Sequence, residues 1–452
     1  MPSVWSSGTT STLTIDIELP SRDLLVQHVL SSLKTYWPKN SDKLLLLPIQ
    51  NNQVNLKIAL PLQLTEITMP TWATDLGVKG QLLVPKESLK SISNQNSWEN
   101  VDWWLAIFLL LEGWHERLWE KTKGVIHSYS FLLKGWDSRA WEHAWVNRIA
   151  IFLRRWSARQ SPCNEDLMGT LPKTKLVLSH DVDAVAKTLP IRLKQGGFNL
   201  FNALKYSLGG NITDAANYFR KALTMTFGKA DWNKFDELIT MESKAGVSAE
   251  YNFYADNRRK TLKRWFFDPS YIISSDKLKA LLLRLKNEGY KIGLHPSFDS
   301  WNNSDLIANQ RKVLEKYSNT TISSCRQHWL RFSWADTWSV QSSVGIKEDS
   351  TLMFNDRPGF RNSAAINWKP WNPKTGKPHE IRCMASILMD SHLYDYRNYN
   401  DQTRKAEISK WVLECKETLS FAAILWHPHT LSEDYDWKNG FTEFLNQIQL
   451  TK

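Results

Sequence analysis

Residues 176–183 read Leu-Val-Leu-Ser-His-Asp-Val-Asp, an apolar run that ends on a histidine and two carboxylates. Side chains alternate along a strand, so Asp181 and Asp183 would lie on the same side of the chain. Two carboxylates that close repel each other, and a divalent cation relieves the repulsion. The motif therefore indicates a metal site at the end of a buried strand, although such aspartates also occur as helix caps or in solvated turns.

The length and composition are those of a globular protein with a full core. The chain has 452 residues, enough for two domains, and 42% of them are hydrophobic. Its longest apolar run, Trp103 to Leu111, is too short to span a bilayer. The N-terminus has no basic stretch followed by an apolar core, so we predict no signal peptide and a cytoplasmic protein.

The four cysteines Cys163, Cys325, Cys383 and Cys415 lie far apart and form no CxxC pair. This spacing argues against a thiolate metal site and against a dense disulfide framework. We therefore expect reduced thiols that are mostly packed in the interior.

The net charge of +11 is concentrated in one segment. Between residues 184 and 230, a single acid, Asp214, stands against seven bases: Lys187, Arg192, Lys194, Lys205, Arg220, Lys221 and Lys229. Because this segment follows the aspartate motif directly, we expect it to serve an anionic substrate or a peripheral contact with the inner membrane, rather than nucleic acid. A solvated insertion without a partner is the alternative.

From residue 173 onward, short strands alternate with amphipathic helices. The stretch Ser275 to Glu288, for example, repeats leucine with helical spacing and ends at Gly289. Strands are predicted at 175–178, 247–254, 291–295, 320–325, 347–353, 380–389 and 421–425. This alternation predicts a parallel sheet and a distorted (β/α) barrel of about seven strands.

The first part of the chain has a different sequence pattern. It combines strand-like runs, such as Leu44 to Pro48, with helices rich in Trp and Leu between residues 101 and 156. The breaks at 161–164 and at Leu171-Pro172 are typical of a linker. We predict a smaller α/β domain over residues 1–165 and the barrel over residues 166–452.

Polar side chains stand at or just after the ends of five predicted strands: His180, Asp181, Asp183, His295, Arg326, His328, Asp390 and His427. In (β/α) barrels the active site is built at the carboxyl ends of the strands. Asp and His are ligands for Zn²⁺, whose catalytic sites use three protein ligands and keep one position open. With a carboxylate as base, Arg326 to orient it and His427 as acid, the set suits hydrolysis of an amide or ester.

Five sequence blocks resemble the signature blocks of the polysaccharide deacetylase superfamily, which are carbohydrate esterases, in a bacterial branch with an extra N-terminal domain. The blocks are residues 179–183, 293–297, 326–331, 356–361 and 425–427. The resemblance covers residues 173–430 and implies a distorted (β/α) barrel. It also implies metal-dependent removal of an N- or O-acetyl group from a glycan or a lipid-linked saccharide.

The resemblance also implies a role for each matching residue. Asp181 resembles the catalytic base and Asp183 the aspartate metal ligand. His295 resembles the first histidine of the HxxxH metal motif, and Arg326 the arginine that holds the base. His427 resembles the catalytic acid, and Asp390 the aspartate that tunes that acid.

Three positions depart from the family pattern. The adjacent Asp-Asp of the family is Asp181-Val-Asp183 here. The second histidine of HxxxH is replaced by Asp299, so either Asp299 or His328 completes the ligand set, and we favour His328 because it stands at a strand end. The tryptophan expected two residues after the acid-tuning aspartate is replaced by His392.

Other polar residues are predicted to support the site. His180 is expected to position Asp183. Asp356 and Arg361 are expected to lock a loop by an ion pair, and one of His427 and His429 is expected to be structural.

Two other functions fit parts of the sequence. A DxD motif after a strand holds Mn²⁺ or Mg²⁺ in nucleotide-sugar glycosyltransferases, but that function gives the three strand-end histidines no role. The altered HxxxH motif also fits an inactive deacetylase-like protein that binds glycan. Metal analysis distinguishes these classes.

Overall fold

The computed structural model describes residues 13–49, 51, 56–90, 97–160, 164–397 and 399–449. Its strands are β1 Leu13–Asp16, β2 Lys57–Leu60, β3 Leu64–Thr68, β4 Gln81–Pro85, β5 Lys175–Val182, β6 Glu250–Phe253, β7 Lys291–Leu294, β8 Ser324–Cys325, β9 Glu348–Asp349, β10 Asn367–Trp368, β11 Trp371–Asn372, β12 Lys377–Pro378, β13 Arg382–Met384, β14 Ser386–Met389 and β15 Phe421–Leu425. Its α-helices are α1 Arg22–Ser32, α2 Trp103–Leu111, α3 Trp114–Lys123, α4 Trp145–Gln160, α5 Leu189–Leu208, α6 Ile212–Phe227, α7 Phe235–Lys244, α8 Leu262–Phe267, α9 Asp276–Asn287, α10 Ser304–Ser318, α11 Thr337–Ser343, α12 Asp390–Tyr394, α13 Asp401–Glu417 and α14 Lys438–Gln449.

A nine-stranded sheet forms the centre of the fold. Its order is β10-β13-β9-β8-β7-β6-β5-β15-β14, and every neighbouring pair is parallel except β10 with β13. Helices precede or follow most of the parallel strands, which is the α/β arrangement that the alternating pattern predicts. The carboxyl ends of the parallel strands therefore share one side of the sheet.

β13, next to one end of this strand order, and β14, at its other end, belong to one stretch of chain. Only Ala385 separates β13 from β14, yet β13 pairs with β9 and β14 pairs with β15. The N–H of Ala423 donates to the Ala385 carbonyl, and the N–H of Ser386 donates to the Leu352 carbonyl. The sheet thus curls, and residues 382–389 reach from β9 on one side of the strand order to β15 on the other, which is consistent with a (β/α) barrel.

The connecting helices follow from leucine spacing and from capping residues. α9 buries Leu278, Leu282 and Leu285 on one face. The Asn303 side chain accepts a hydrogen bond from a first-turn N–H of α10, and Asn319, with a φ of 49°, ends that helix in the left-handed conformation. These signals cover the sheet with helices and return the chain to the next strand.

Some predicted strands are wrong or much shorter. Leu44 to Pro48 is not a strand, because residues 41–46 form a 3-10 helix in which Leu46 is 81% exposed. A run of leucines lacks the alternation that would give a strand one buried face. The predicted strands 320–325 and 347–353 contain only the two-residue strands β8 and β9.

The N-terminal region packs onto the central sheet. It contains two antiparallel strand pairs, β1 with β2 and β3 with β4, and the fully buried helix α2. Its apolar residues join one hydrophobic core with those of the sheet region. The domain boundary near residue 165 stays a prediction.

Two further expectations concern membranes and thiols. In the described part of the chain, no helix is both long and apolar enough to cross a membrane. Cys325, Cys383 and Cys415 are free and buried, as predicted. Cys163 lies outside the described residues.

A buried ion pair ties the N-terminal region to α13. Two nitrogens of Arg148 donate to the two carboxylate oxygens of Glu414 at 3.0 and 2.7 Å, and the Ala144 N–H donates to the same carboxylate at 3.0 Å. Burial alone would raise the pKa of Glu414, but His143 and Arg148 outweigh burial and lower that pKa from 4.5 to about 2. The carboxylate therefore stabilises the fold in its charged form.

Replacing Glu414 by glutamine is expected to lower the free energy of unfolding at neutral pH by about 3 kcal/mol, since it removes the buried carboxylate that binds Arg148 and leaves the half-exposed Glu417 as the ionic partner of that arginine. A carboxyl whose pKa is lowered by folding adds stability above its unfolded pKa. The difference from wild type should therefore shrink as the pH falls from 4.5 toward 2. Urea unfolding of both proteins across this range measures the difference.

Glu417 offers a matched control, because it binds the same Arg148 but its side chain is 50% exposed. Glu417→Gln should cost less than about 1 kcal/mol. Equal losses for the two variants would show that burial of Glu414 is not what makes the pair stabilising.

Candidate metal centre

Three side chains from three strand ends converge at the carboxyl side of the sheet. Asp183 Oδ1 lies 3.3 Å from His295 Nε2 and 3.4 Å from His328 Nδ1, and the two ring nitrogens lie 2.8 Å apart. Asp183 follows β5, while the two histidines follow β7 and β8. The parallel order β8-β7-β6-β5 brings these residues to one place, as the strand-end pattern predicts.

Backbone carbonyls orient both histidine rings. His295 Nδ1 donates to the Arg326 carbonyl and His328 Nε2 donates to the Phe267 carbonyl, each at 2.7 Å. A carbonyl oxygen only accepts, so in a neutral ring the other nitrogen carries the lone pair. Those two lone pairs face each other and Asp183 Oδ1. Such a carbonyl-bound histidine is the usual form of a metal ligand.

The donor set suits a divalent ion such as Zn²⁺. Asp183 Oδ1 is buried and accepts no hydrogen bond from any described residue, so its charge calls for a cation. Tetrahedral Zn²⁺ with bonds of about 2.0–2.1 Å has ligand-to-ligand distances of about 3.3–3.4 Å. Both distances from Asp183 match, and the two histidines would move apart by about half an ångström.

The histidines also keep Asp183 ionised. Burial alone would raise the pKa of Asp183, but His328, His295 and His427 outweigh burial and hold that pKa well below its usual range. The carboxylate is therefore available as an anionic ligand at neutral pH.

Asp181 is fixed beside this group. Its Oδ1 accepts hydrogen bonds from Arg326 Nη1 at 3.2 Å and from Asn252 Nδ2 at 3.0 Å, and its Oδ2 lies 3.8 Å from His295 Nδ1. Arg326 is fully buried and also donates to Ser179 Oγ, the Ser350 carbonyl and Ser386 Oγ. The arginine therefore holds Asp181 in one orientation.

His427 approaches from the opposite side. Its Nε2 lies 3.6 Å from Asp183 Oδ2, and its Nδ1 lies 2.8 Å from Asp390 Oδ1. Asp390 also accepts the N–H of His427 at 2.8 Å. Burial lowers the pKa of His427, but Asp390 and Asp183 outweigh burial and raise that pKa to about 10. The ring is thus a protonated group that points at the candidate metal centre.

Other predicted residues lie outside this group. Asp299 is 41% exposed and pairs with Lys263 at 2.7 Å. His180 points away from Asp183, with its ring nitrogens on Glu242 and on the Trp426 carbonyl. His392 binds the Phe354 carbonyl inside the core, where burial lowers its pKa to about 4.

The predicted ion pair between Asp356 and Arg361 is absent from the described contacts. Asp356 instead accepts hydrogen bonds from the N–H and the hydroxyl of Ser130, and Arg361 pairs with Glu116. Both residues therefore lock the N-terminal region onto the sheet rather than closing a loop on themselves.

Asn252 is the main site residue that the sequence pattern did not reveal. It lies directly beside Asp181 in the pairing of β6 with β5. Asparagine is uncommon in strands, so its position between Tyr251 and Phe253 is the sequence feature that could have indicated a role for Asn252 in the site. The Phe267 carbonyl, which orients His328, carries no sequence signal at all.

Gly293 leaves room for Asn252. A Cβ at this position would lie 2.1 Å from Asn252 Oδ1 and 2.9 Å from Ser324 Oγ. Gly293→Ala is therefore expected to displace Asn252, weaken its bond to Asp181 and lower stability by about 1–3 kcal/mol. Thermal unfolding together with a crystal structure of the variant measures both effects. Gly197→Ala is the control, since a Cβ there meets nothing within 4 Å.

Aromatic side chains form a rim next to the centre. Trp329 is 38% exposed and has a φ of 56°, an uncommon conformation for a bulky residue. Its indole donates to the Phe267 carbonyl, and the Phe267 ring stacks on Phe298 with centroids 4.4 Å apart. Strain of this kind is typical of functional sites.

The sequence matches no protein-family model and no curated protein. Some solved structures are similar. A candidate polysaccharide deacetylase from Mycobacterium smegmatis is 12% identical, with a TM-score of 0.36 over 62% of this chain and 85% of that chain. Puue allantoinase is 11% identical, with a TM-score of 0.34 over 60% of this chain and 82% of that chain. The Bc1960 peptidoglycan N-acetylglucosamine deacetylase is 11% identical, with a TM-score of 0.25 over 62% and 81%. The likeness is distant, so the chemistry of the site rests on its own residues.

Proposed function

We propose that the protein is a metal-dependent hydrolase that removes an acetyl group from the nitrogen or oxygen of a glycan. The observation that carries the proposal is the convergence of Asp183, His295 and His328, with Asp181 next to His295 and His427 next to Asp183. A metal centre flanked by a base and an acid is the machinery that amide or ester hydrolysis needs.

The metal would be held by Asp183, His295 and His328. When bound, a divalent ion such as Zn²⁺ polarises an acyl oxygen and lowers the pKa of a water molecule. The two carbonyls behind the histidines keep the rings from turning away, so the ligand set is organised before the ion arrives.

Asp181 and His427 would carry the protons. Asp181 takes a proton from the attacking water, whose oxygen forms a bond to the acetyl carbon. The bond from that carbon to the glycan nitrogen or oxygen then breaks, and His427 gives its proton to the leaving atom. Asp390 holds the His427 ring toward the site, and acetate leaves as the second product.

The rim supports a saccharide as substrate. Trp329 and Phe267 are both partly exposed beside His328, and an exposed aromatic face can pack against a sugar ring. A nucleotide-sugar transferase is less well supported. In such a transferase, the two aspartates of the DxD motif would share one ion. Here Asp181 binds Arg326 and Asn252, whereas Asp183 faces two histidines.

Release of acetate from a panel of N- and O-acetylated glycans tests the proposal. Activity is expected with at least one glycan, should disappear after treatment with a chelator, and should return when Zn²⁺ is added back. Zinc binding without acetate release from any member of the panel would instead favour an inactive glycan-binding protein.

A further inference from the structure

The basic segment after the aspartate motif forms a helical hairpin of α5 and α6. Small buried residues lie between the two helices: Gly196 and Ala203 of α5, and Ala215 and Ala222 of α6. A Cβ at Gly196 would lie only 2.1 Å from Thr226 Oγ1, so the helices approach closely there. The hairpin therefore packs through small side chains.

The large apolar side chains of the hairpin point outward instead. α5 exposes a helical stripe that includes Leu193, Leu200, Leu204 and Leu208. α6 exposes a second stripe that includes Phe219, Leu223 and Phe227. Leu208 is 91% exposed and Phe227 is 73% exposed. Two exposed apolar stripes on neighbouring helices indicate an interaction site, since soluble chains otherwise bury many of these residues.

Basic residues border these stripes. Lys205 adjoins Leu204 on α5, and Arg220 and Lys221 follow Phe219 on α6, while Asp214 is the only acid in the two helices. Lysine is depleted in the cores of protein interfaces. A helix with an apolar face bordered by Lys and Arg is instead typical of a segment that lies in the headgroup region of a membrane.

The base of the hairpin is attached to the candidate metal centre. Just before α5, Lys187 Nζ pairs with Asp434 at 2.7 Å, and Trp232, just after α6, donates to the same carboxylate at 2.7 Å. The Trp232 ring also stacks on His429, two residues beyond His427. The base of the hairpin is therefore fixed next to the candidate metal centre.

We propose that the exposed face of the α5–α6 hairpin docks onto an anionic lipid bilayer. The apolar stripes enter the headgroup region and the basic residues bind the lipid phosphates, with no segment crossing the membrane. The interaction does not depend on the proposed hydrolysis, but it would hold the site at the surface on which a lipid-linked saccharide is presented.

Sedimentation of the full chain with vesicles tests the docking. The chain is expected to bind vesicles made of equal parts phosphatidylglycerol and phosphatidylcholine, and to bind less as salt is added. The combined substitution Leu204→Ser, Leu208→Ser and Phe227→Ser should lower the partition coefficient by about tenfold or more. Because these side chains are exposed, the melting temperature should stay unchanged.

Two controls separate the contributions of surface and charge. Leu46→Ser and Leu413→Ser replace equally exposed leucines far along the chain from the hairpin and should leave binding unchanged. Arg220→Gln with Lys221→Gln should weaken binding to the anionic vesicles and reduce its salt dependence.

Two results would overturn the docking proposal. One is the absence of binding to the anionic vesicles by the wild-type chain. The other is a wild-type dimer, seen by light scattering, that the triple hairpin substitution converts to a monomer, because a second copy of the chain would then cover the face. Neither result changes the acetate-release test, so the two proposals fail independently.

Discussion

Replacing Asp181 by asparagine is expected to lower the turnover number for acetate release by about a hundredfold to ten-thousandfold, which is the usual contribution of a general base. Asparagine has nearly the same shape and keeps an oxygen that can accept the hydrogen bond from Arg326. It cannot take a proton from water. Steady-state kinetics on the best substrate of the glycan panel measures the loss.

Two measurements on the same variant separate loss of the base from damage to the site. Binding of Zn²⁺ should change little, because Asp181 is outside the group of three ligands. The melting temperature reports on the buried Arg326, whose other acceptors are two serine hydroxyls and a carbonyl. Full activity of Asp181→Asn would remove this residue from the chemistry, and loss of Zn²⁺ binding would reassign it as a ligand.

Replacing Asp183 by alanine is expected to weaken binding of Zn²⁺ more than the loss of a residue that only hydrogen-bonds to a ligand. Loss of such an outer partner weakens metal binding by about ten- to hundredfold. The substitution removes the only anionic ligand and leaves the two histidine lone pairs facing each other. His295→Ala should have a similar effect. Calorimetric titration of the chelator-treated protein with Zn²⁺ measures the dissociation constants.

Asp299→Ala is the matched control for this experiment. Asp299 occupies the sequence position at which the related metal motif has its second histidine, yet its side chain is exposed and pairs with Lys263. The substitution should leave Zn²⁺ affinity within about threefold of wild type, as expected for a weak surface pair. Loss of binding in Asp299→Ala, with binding retained in Asp183→Ala, would contradict the proposed ligand set.

The sequence indicated which side chains meet at the candidate centre because parallel strands bring their carboxyl ends, and the polar residues that follow them, to one side of the sheet. A polar residue that follows an apolar run can be assigned to a strand end without knowing the fold, and Asp183, His295 and His328 meet as that assignment predicts. The choice of His328 over Asp299 rested on the same reasoning. The roles of these residues in binding and catalysis stay predictions.

The features that the sequence did not reveal depend on contacts between distant segments. Nothing near residue 267 indicates that its carbonyl would orient a histidine 61 residues later. The stretch 380–389 was predicted as one strand, and its division at Ala385 depends on two different neighbours, β9 and β15. The expectation for residues 184–230 rests on charge alone, although the exposed leucines of this segment repeat with helical spacing.

Arg326 also holds together the parts of the sheet that residues 382–389 connect. Its guanidinium contacts Ser179 on β5, Ser350 just after β9 and Ser386 on β14, so it bridges the two parts of the sheet that residues 382–389 connect. These contacts unite segments more than two hundred residues apart in the chain. Because the same guanidinium donates to Asp181, the orientation of that carboxylate is tied to the position of β14 relative to β5 and β9.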